Sequence, residues 1–77
     1  MQSDEALPEL TSDLDYWEIT LKTGEIVTLR AHAMSEQDGA YVFVALMKGS
    51  PATEYELARV PSEVVEDVEG GWPTPRT

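Results

Sequence analysis

The sequence predicts a mainly β fold, a small antiparallel sheet or a partly open five-stranded barrel, and three observations carry that prediction. Apolar and polar residues alternate from Trp17 to Leu21 and again over Val27, Leu29, Ala31 and Ala33, the period of two that marks a half-buried strand. Tyr41 to Met47 is apolar on both parities, as expected of a central strand covered on both faces. The runs are short, and Gly24, Asp38-Gly39 and Gly49-Ser50-Pro51 separate them with turn chemistry.

Residues 1–15 mix carboxylates with Leu7, Leu10 and Leu14, whose spacing fits one face of a short helix, while Pro8 interrupts any longer one. A short helix and an acidic leader are both open readings. Tyr16 to Ala33 is then the best-specified stretch, a β-hairpin whose turn follows from register. A two-residue loop at Thr23-Gly24 puts Val27 and Leu29 on the wrong face, because a slip of one residue flips every side chain. A three-residue loop, Lys22-Thr23-Gly24, sets Ile19 opposite Val27 and Trp17 opposite Leu29, and places glycine where a G1 bulge needs a positive φ. The other face then carries Tyr16, Glu18 and Thr20 against Ile26, Thr28 and Arg30, with Glu18 in diagonal reach of Arg30.

Met34 to Gly39 reads as a polar loop, Tyr41 to Met47 as the middle of the sheet, and Lys48 to Thr53 as a second hairpin loop. Glu54 to Val60 returns as a strand, with Tyr55, Leu57 and Arg59 alternating against Glu56, Ala58 and Val60; Pro61 ends it. Ser62 to Glu69 has two readings. Ser62 caps a helix of two turns closed by Gly70, or Ser62–Val64 makes one 3₁₀ turn and Val65 to Glu69 forms a strand; β-branched Val64, Val65 and Val68 favour the second. The organisation expected is an acidic leader over 1–15, a β domain over 16–69 and a flexible Gly/Pro tail over 70–77.

The chain has 77 residues, no cysteine and a net charge of −10. A domain of this size buries only about 60% of the surface its unfolded chain exposes, so stability should be modest. Without cysteine, no disulfide or thiolate metal site can add to it. The charge sits mainly on the flanks, −5 over residues 1–15 and −3 over 62–77, against −2 for the middle. Such acidity repels phosphates and anionic membranes, and the four middle bases form no cluster, so direct nucleic-acid binding is not expected. No run approaches the roughly 20 apolar residues of a membrane span, and no signal peptide is visible, so a cytoplasmic location is expected.

Two segments resemble known families. Ile19-Thr20-Leu21-Lys22-Thr23-Gly24-Glu25-Ile26-Val27-Thr28-Leu29 resembles the first Sm motif, in which a Leu-Lys-x-Gly turn joins two long strands. Val60-Pro61-Ser62-Glu63-Val64-Val65 is similar to the Pro-Ser-Asn-Tyr-Val turn closing SH3 domains, matching at Pro61, Ser62 and Val65. The likeness implies a small SH3-like or Sm-like β-barrel. It does not imply the families' ligands: Met34 to Gly39 stands where the base-binding Asp-x-x-Met-Asn would be, no Arg-Gly pair opens the last strand, Val64 replaces the groove aromatic, and the Ala-Leu-Tyr-Asp-Tyr opening is absent. A general likeness to small acidic proteins of actinobacteria and their phages accompanies this.

No catalytic, cofactor or metal residues are assigned. His32 is the only histidine, which argues against a nucleophile-base pair, and strand parity sets it beside Arg30 as a plain surface residue. Glu63, Glu66, Asp67 and Glu69 lack the spacing of a calcium loop and read as a solvated acidic face. The expected contact residues for a protein partner are Tyr16, Ile26, Tyr55, Glu63, Glu66, Asp67 and Trp72: an exposed aromatic and apolar patch, an acidic stretch, and a tail tryptophan of a type enriched in binding hot spots. The function expected is a non-enzymatic acidic module occupying a basic surface of its partner, in one version a phage or mobile-element inhibitor. The alternative is a homo-oligomer joined through edge strands such as Glu54 to Val60.

Overall fold

A computed structural model describes residues 10–49 and 51–73. It holds six strands, β1 (Asp15–Leu21), β2 (Ile26–Ala31), β3 (Ala33–Gln37), β4 (Ala40–Met47), β5 (Thr53–Pro61) and β6 (Val65–Trp72), with a single 3₁₀ turn, η1 (Ser62–Val64), before the last. They form two antiparallel three-stranded sheets, β2-β1-β6 and β3-β4-β5, and neither closes into a barrel.

The first hairpin has the register derived from the sequence: Ile19 faces Val27, Trp17 faces Leu29 and Thr20 faces Ile26. The Leu21 N–H donates to the Glu25 carbonyl at 2.8 Å and the Gly24 N–H to the Leu21 carbonyl at 2.8 Å, closing the three-residue loop. Gly24 takes φ +97°, a conformation only glycine adopts without strain.

The strand expected to run to Ala33 instead breaks at His32. Ala31 still pairs with Asp15 in the first sheet, whereas Ala33 pairs with Val44 in the second, so the chain changes sheets at this corner. The segment read as a polar loop is therefore β3, and the loop shrinks to Asp38-Gly39. Both residues have positive φ, 49° and 75°, as a type I′ hairpin turn requires. Ser35, Glu36 and Gln37 have little β propensity of their own; pairing with Val42, Tyr41 and Ala40 supplies what propensity does not.

Three bulges explain why alternation fails in the last two strands. Phe43 faces Ala58 and Val44 faces Glu56, leaving Leu57 as an extra residue in β5. Tyr55 consequently shares a face with Ala58 and Val60 rather than with Arg59, which corrects the sequence reading. Glu66 and Gly71 are the extra residues in β6, so Val65 and Val68 both reach the core side although three positions apart. The strand reaches Trp72, so Gly70, Gly71 and Trp72 belong to the sheet and not to a tail; residues 74–77 lie outside the described residues.

Ile19, Ala31, Phe43 and Val65 form the core, with Trp17, Leu21, Leu29, Met34, Tyr41, Ala58, Val60 and Val68 packed around them. Trp17 meets Phe43 edge to face at 5.7 Å and donates its indole N–H to the Ala31 carbonyl at 3.0 Å, so its polar atom is satisfied while its ring is half-buried. Opposite Trp17 stands Gly70, where a Cβ would fall 2.6 Å from the indole and 2.7 Å from the Trp17 Cα. The ring lies on bare backbone, so only glycine fits. Ser62 does not cap a helix: its N–H and hydroxyl both donate to the Gly39 carbonyl, at 2.8 and 2.9 Å, tying η1 to the type I′ turn.

Candidate functional site

The register places nine residues in a three-by-three array on the outer face of β2-β1-β6. Arg30, Tyr16 and Trp72 form one row, Thr28, Glu18 and Glu69 the next, and Ile26, Thr20 and Asp67 the third. Strand alternation explains their common orientation, since each lies one residue out of phase with the core positions Trp17, Ile19 and Leu21.

The first row is aromatic. Tyr16 and Trp72 stack with ring centroids 6.2 Å apart and planes 25° from parallel, and the Arg30 guanidinium lies 5.9 Å from the Tyr16 ring centroid. Arg30 also donates to the Leu14 carbonyl at 3.5 Å. It therefore sits over the ring rather than pairing with Glu18, as the sequence suggested. A stack of this kind contributes about 0.5–1.5 kcal/mol beyond area burial, and an exposed cation on an aromatic about 0.5–1 kcal/mol.

The second row is acidic. Glu18 and Glu69 are directly opposite each other. Cβ atoms of such pairs lie about 4.5–5.5 Å apart, and like charges there destabilise a sheet. Asp67 follows in the third row beside Thr20 and Ile26, the last 60% exposed.

The structure thus brings together four of the seven expected contact residues, Tyr16, Ile26, Asp67 and Trp72. It separates the others. Tyr55 is on β5 in the second sheet opposite Ala45 and is 62% exposed, Glu63 is in η1, and Glu66 is the extra residue of a β6 bulge. Glu18, Glu69 and Arg30 join the array, and neither carboxylate stood among the expected contacts. Their opposition could not be read from the sequence, because it depends on β1 pairing with a strand at the far end of the chain across two bulges.

His32 is no plain surface histidine. Its Nδ1 accepts the Leu46 N–H at 2.7 Å, which leaves Nε2 protonated to donate to the Ser12 carbonyl at 2.9 Å. The Thr11 N–H donates to the Leu46 carbonyl at 3.0 Å, and Leu10 makes a bridge with Met47. The ring clips the segment before β1 onto the end of β4. Residues 10–14 accordingly form a bridge, a bend and irregular backbone rather than a helix, and Leu7 and the carboxylates Asp4, Glu5 and Glu9 lie outside the described residues.

On the second sheet the Arg59 guanidinium meets both Glu56 oxygens, Nε to Oε2 at 3.2 Å and an Nη to Oε1 at 2.9 Å. Residues three apart normally face opposite sides of a strand; the bulge at Leu57 restores a common face, shared with their cross-strand partners Val42 and Val44. The hydrogen bond from Arg59, and then its charge, hold the Glu56 carboxyl below the usual range, and Glu56 raises Arg59 in return.

Among the described residues no three His, Cys, Asp or Glu side chains converge on a metal position and no concave pocket opens. No described helix is long and apolar enough to cross a membrane. Compared with known protein families, curated proteins and solved structures, the chain has no match. The fold and the array define a small two-sheet β protein with one acidic and aromatic open face.

Proposed function

We propose that the protein is a non-enzymatic, cytoplasmic protein-binding module whose β2-β1-β6 outer face docks on a basic surface of its partner. The observation that supports this reading is the direct opposition of Glu18 and Glu69 beside the Tyr16–Trp72 stack. A like-charge pair on an open face costs the fold stability, and a basic partner turns that cost into attraction. The aromatic row supplies contact area where tryptophan and tyrosine commonly anchor complexes.

A narrower version makes it a phage or mobile-element inhibitor imitating nucleic acid. DNA presents a charge every 1.7 Å or so of axis, whereas successive rows on this face are about 7 Å apart. Three carboxylates in two rows are too sparse, so that version requires the amino-terminal carboxylates as well.

The test is a pair of measurements on Glu69→Gln. Stability should rise by about 0.2–1 kcal/mol as the opposed charges are relieved. Capture of a basic partner from lysate, eluted by a salt gradient, should fall at the same time. Unchanged capture, or a partner held only above the salt concentration that screens charge, would refute the assignment of this face.

A further inference from the structure

An unpaired edge strand offers a row of free N–H and C=O groups to any other strand, and proteins blunt such edges with bulges, charge, proline or shortness. Three of the four sheet edges here are blunted. β6 has two bulges and carries Glu66, Asp67 and Glu69; β5 has the Leu57 bulge, Glu54 and Glu56, and ends at Pro61; β3 is five residues long and carries Glu36. β2 is the least protected, its one charge being Arg30, which lies over the Tyr16 ring. Its register with β1 is unbroken, it holds no carboxylate and no proline, and Ile26 and Val27 are 60% and 42% exposed. Among the described residues it pairs only with β1.

We infer that β2 is the edge through which two copies of this chain pair, antiparallel about a two-fold axis at Thr28. The bond between the Leu21 N–H and the Glu25 carbonyl sets the alternation along the hairpin, so Val27 and Leu29 bond to β1 while the N–H and C=O of Ile26, Thr28 and Arg30 point away from it. A second β2 laid Thr28 to Thr28 matches those outward groups, with Ile26 of each copy opposite Arg30 of the other and two bonds exchanged by each pair. An axis perpendicular to the sheet keeps the faces in common, so Val27 of one copy meets Leu29 of the other on the core side. No like charges are opposed across the joint.

Charge decides the conditions. The chain carries −10, and the nearest carboxylates in line across the joint are Glu25 of one copy and Asp15 of the other, which pairs with Ala31. They stand two strand spacings apart, about 10 Å, which exceeds the Debye length of about 8 Å at physiological ionic strength. Self-association therefore strengthens with salt, whereas the partner complex proposed above weakens. One short strand pair is a small interface, below about 1,200 Å², of the weak and transient class, so association is expected only at high protein concentration.

Sedimentation equilibrium of the full chain at low and at 0.3 M or so sodium chloride tests this. The mass should rise from 8.5 kDa towards twice that value with concentration, and further at the higher salt. Thr28→Pro removes an N–H that β1 does not use, and Thr28→Lys sets two ammonium groups face to face; both should remain at 8.5 kDa with an unchanged circular dichroism spectrum. Should the proline variant unfold, the lysine variant decides. A wild-type mass of 8.5 kDa throughout, a dimer surviving in the lysine variant, or a gain in mass only when a foreign extended peptide is added would overturn the proposal. Glu69→Gln should leave the dimer intact, which separates this result from the partner-binding test.

Discussion

The two sheets treat their central strands differently. In β3-β4-β5 the four residues Val42, Phe43, Val44 and Ala45 are all buried, so β4 is covered on both faces. In β2-β1-β6 only Ile19 of β1 is buried, and Tyr16, Glu18 and Thr20 look outward with their neighbours from β2 and β6. The second sheet has committed the apolar residues of β4 on both sides to holding the fold, although Tyr55 and Leu57 of β5 stay exposed. The first has committed one side and leaves the other to aromatic, acidic and exposed apolar groups that the core does not need. Stability should therefore be concentrated along β4 and function on the outer face of β1.

Truncating the strand covered on both faces should have the largest effect. Phe43→Ala removes a fully buried ring packed on Trp17 and should cost about 3–5 kcal/mol, lowering Tm by about 15 °C or more. Thr20→Ala on the open face of β1 should stay within about 0.5 kcal/mol. Urea denaturation of the two variants reads the contrast, and equal losses would break it.

Next comes the close approach within the first sheet. Gly70→Ala forces its Cβ into the Trp17 ring and backbone, and should cost about 1–3 kcal/mol with a shift in tryptophan emission. If it costs nothing, β6 is not held against β1 by that contact.

His32 links the sheets at their corner. His32→Phe keeps a ring but leaves the Leu46 N–H without an acceptor, for a loss of about 1 kcal/mol at this half-buried position. Hydrogen exchange should quicken at Leu46 and Thr11 while the Ile19 amide is unaffected, sharpening the division between the clipped segment and the core.

The smallest effect belongs to the exposed Glu56–Arg59 pair. Arg59 depresses the Glu56 carboxyl in the folded state, so its contribution is present above the unfolded carboxylate range and lost as pH falls through the folded one. Denaturation curves of wild type and Glu56→Gln should differ slightly at neutral pH and converge in acid, and also in high salt.

Much of the first hairpin was legible because its determinants are local. Gly24 and the alternation on either side restrict the loop to one length, and the register follows. β3 was missed for the converse reason: Asp38-Gly39 announced its turn, but Ser35-Glu36-Gln37 carries no strand pattern until β4 lies beside it. The corner at His32 and the bulges at Leu57, Glu66 and Gly71 leave no sequence period, because each interrupts the alternation that would reveal a strand. Of the candidate contact residues, Tyr16 and Ile26 could be placed on one face from the hairpin alone, whereas Trp72 and Asp67 joined them only through β6.

The sequence by itself determined the mainly β class, the first hairpin in register, the apolar strand at the centre of the second sheet, and the turn-then-strand ending after Pro61. These follow from alternation, glycine φ and proline chemistry, which act over a few residues. Tertiary structure decided the division into two sheets, the pairing of β1 with β6, and hence the meeting of Glu18 with Glu69 and of Tyr16 with Trp72. Those contacts join residues far apart along the chain, and their register passes through bulges set by packing against Ile19 and Trp17, which no local pattern encodes.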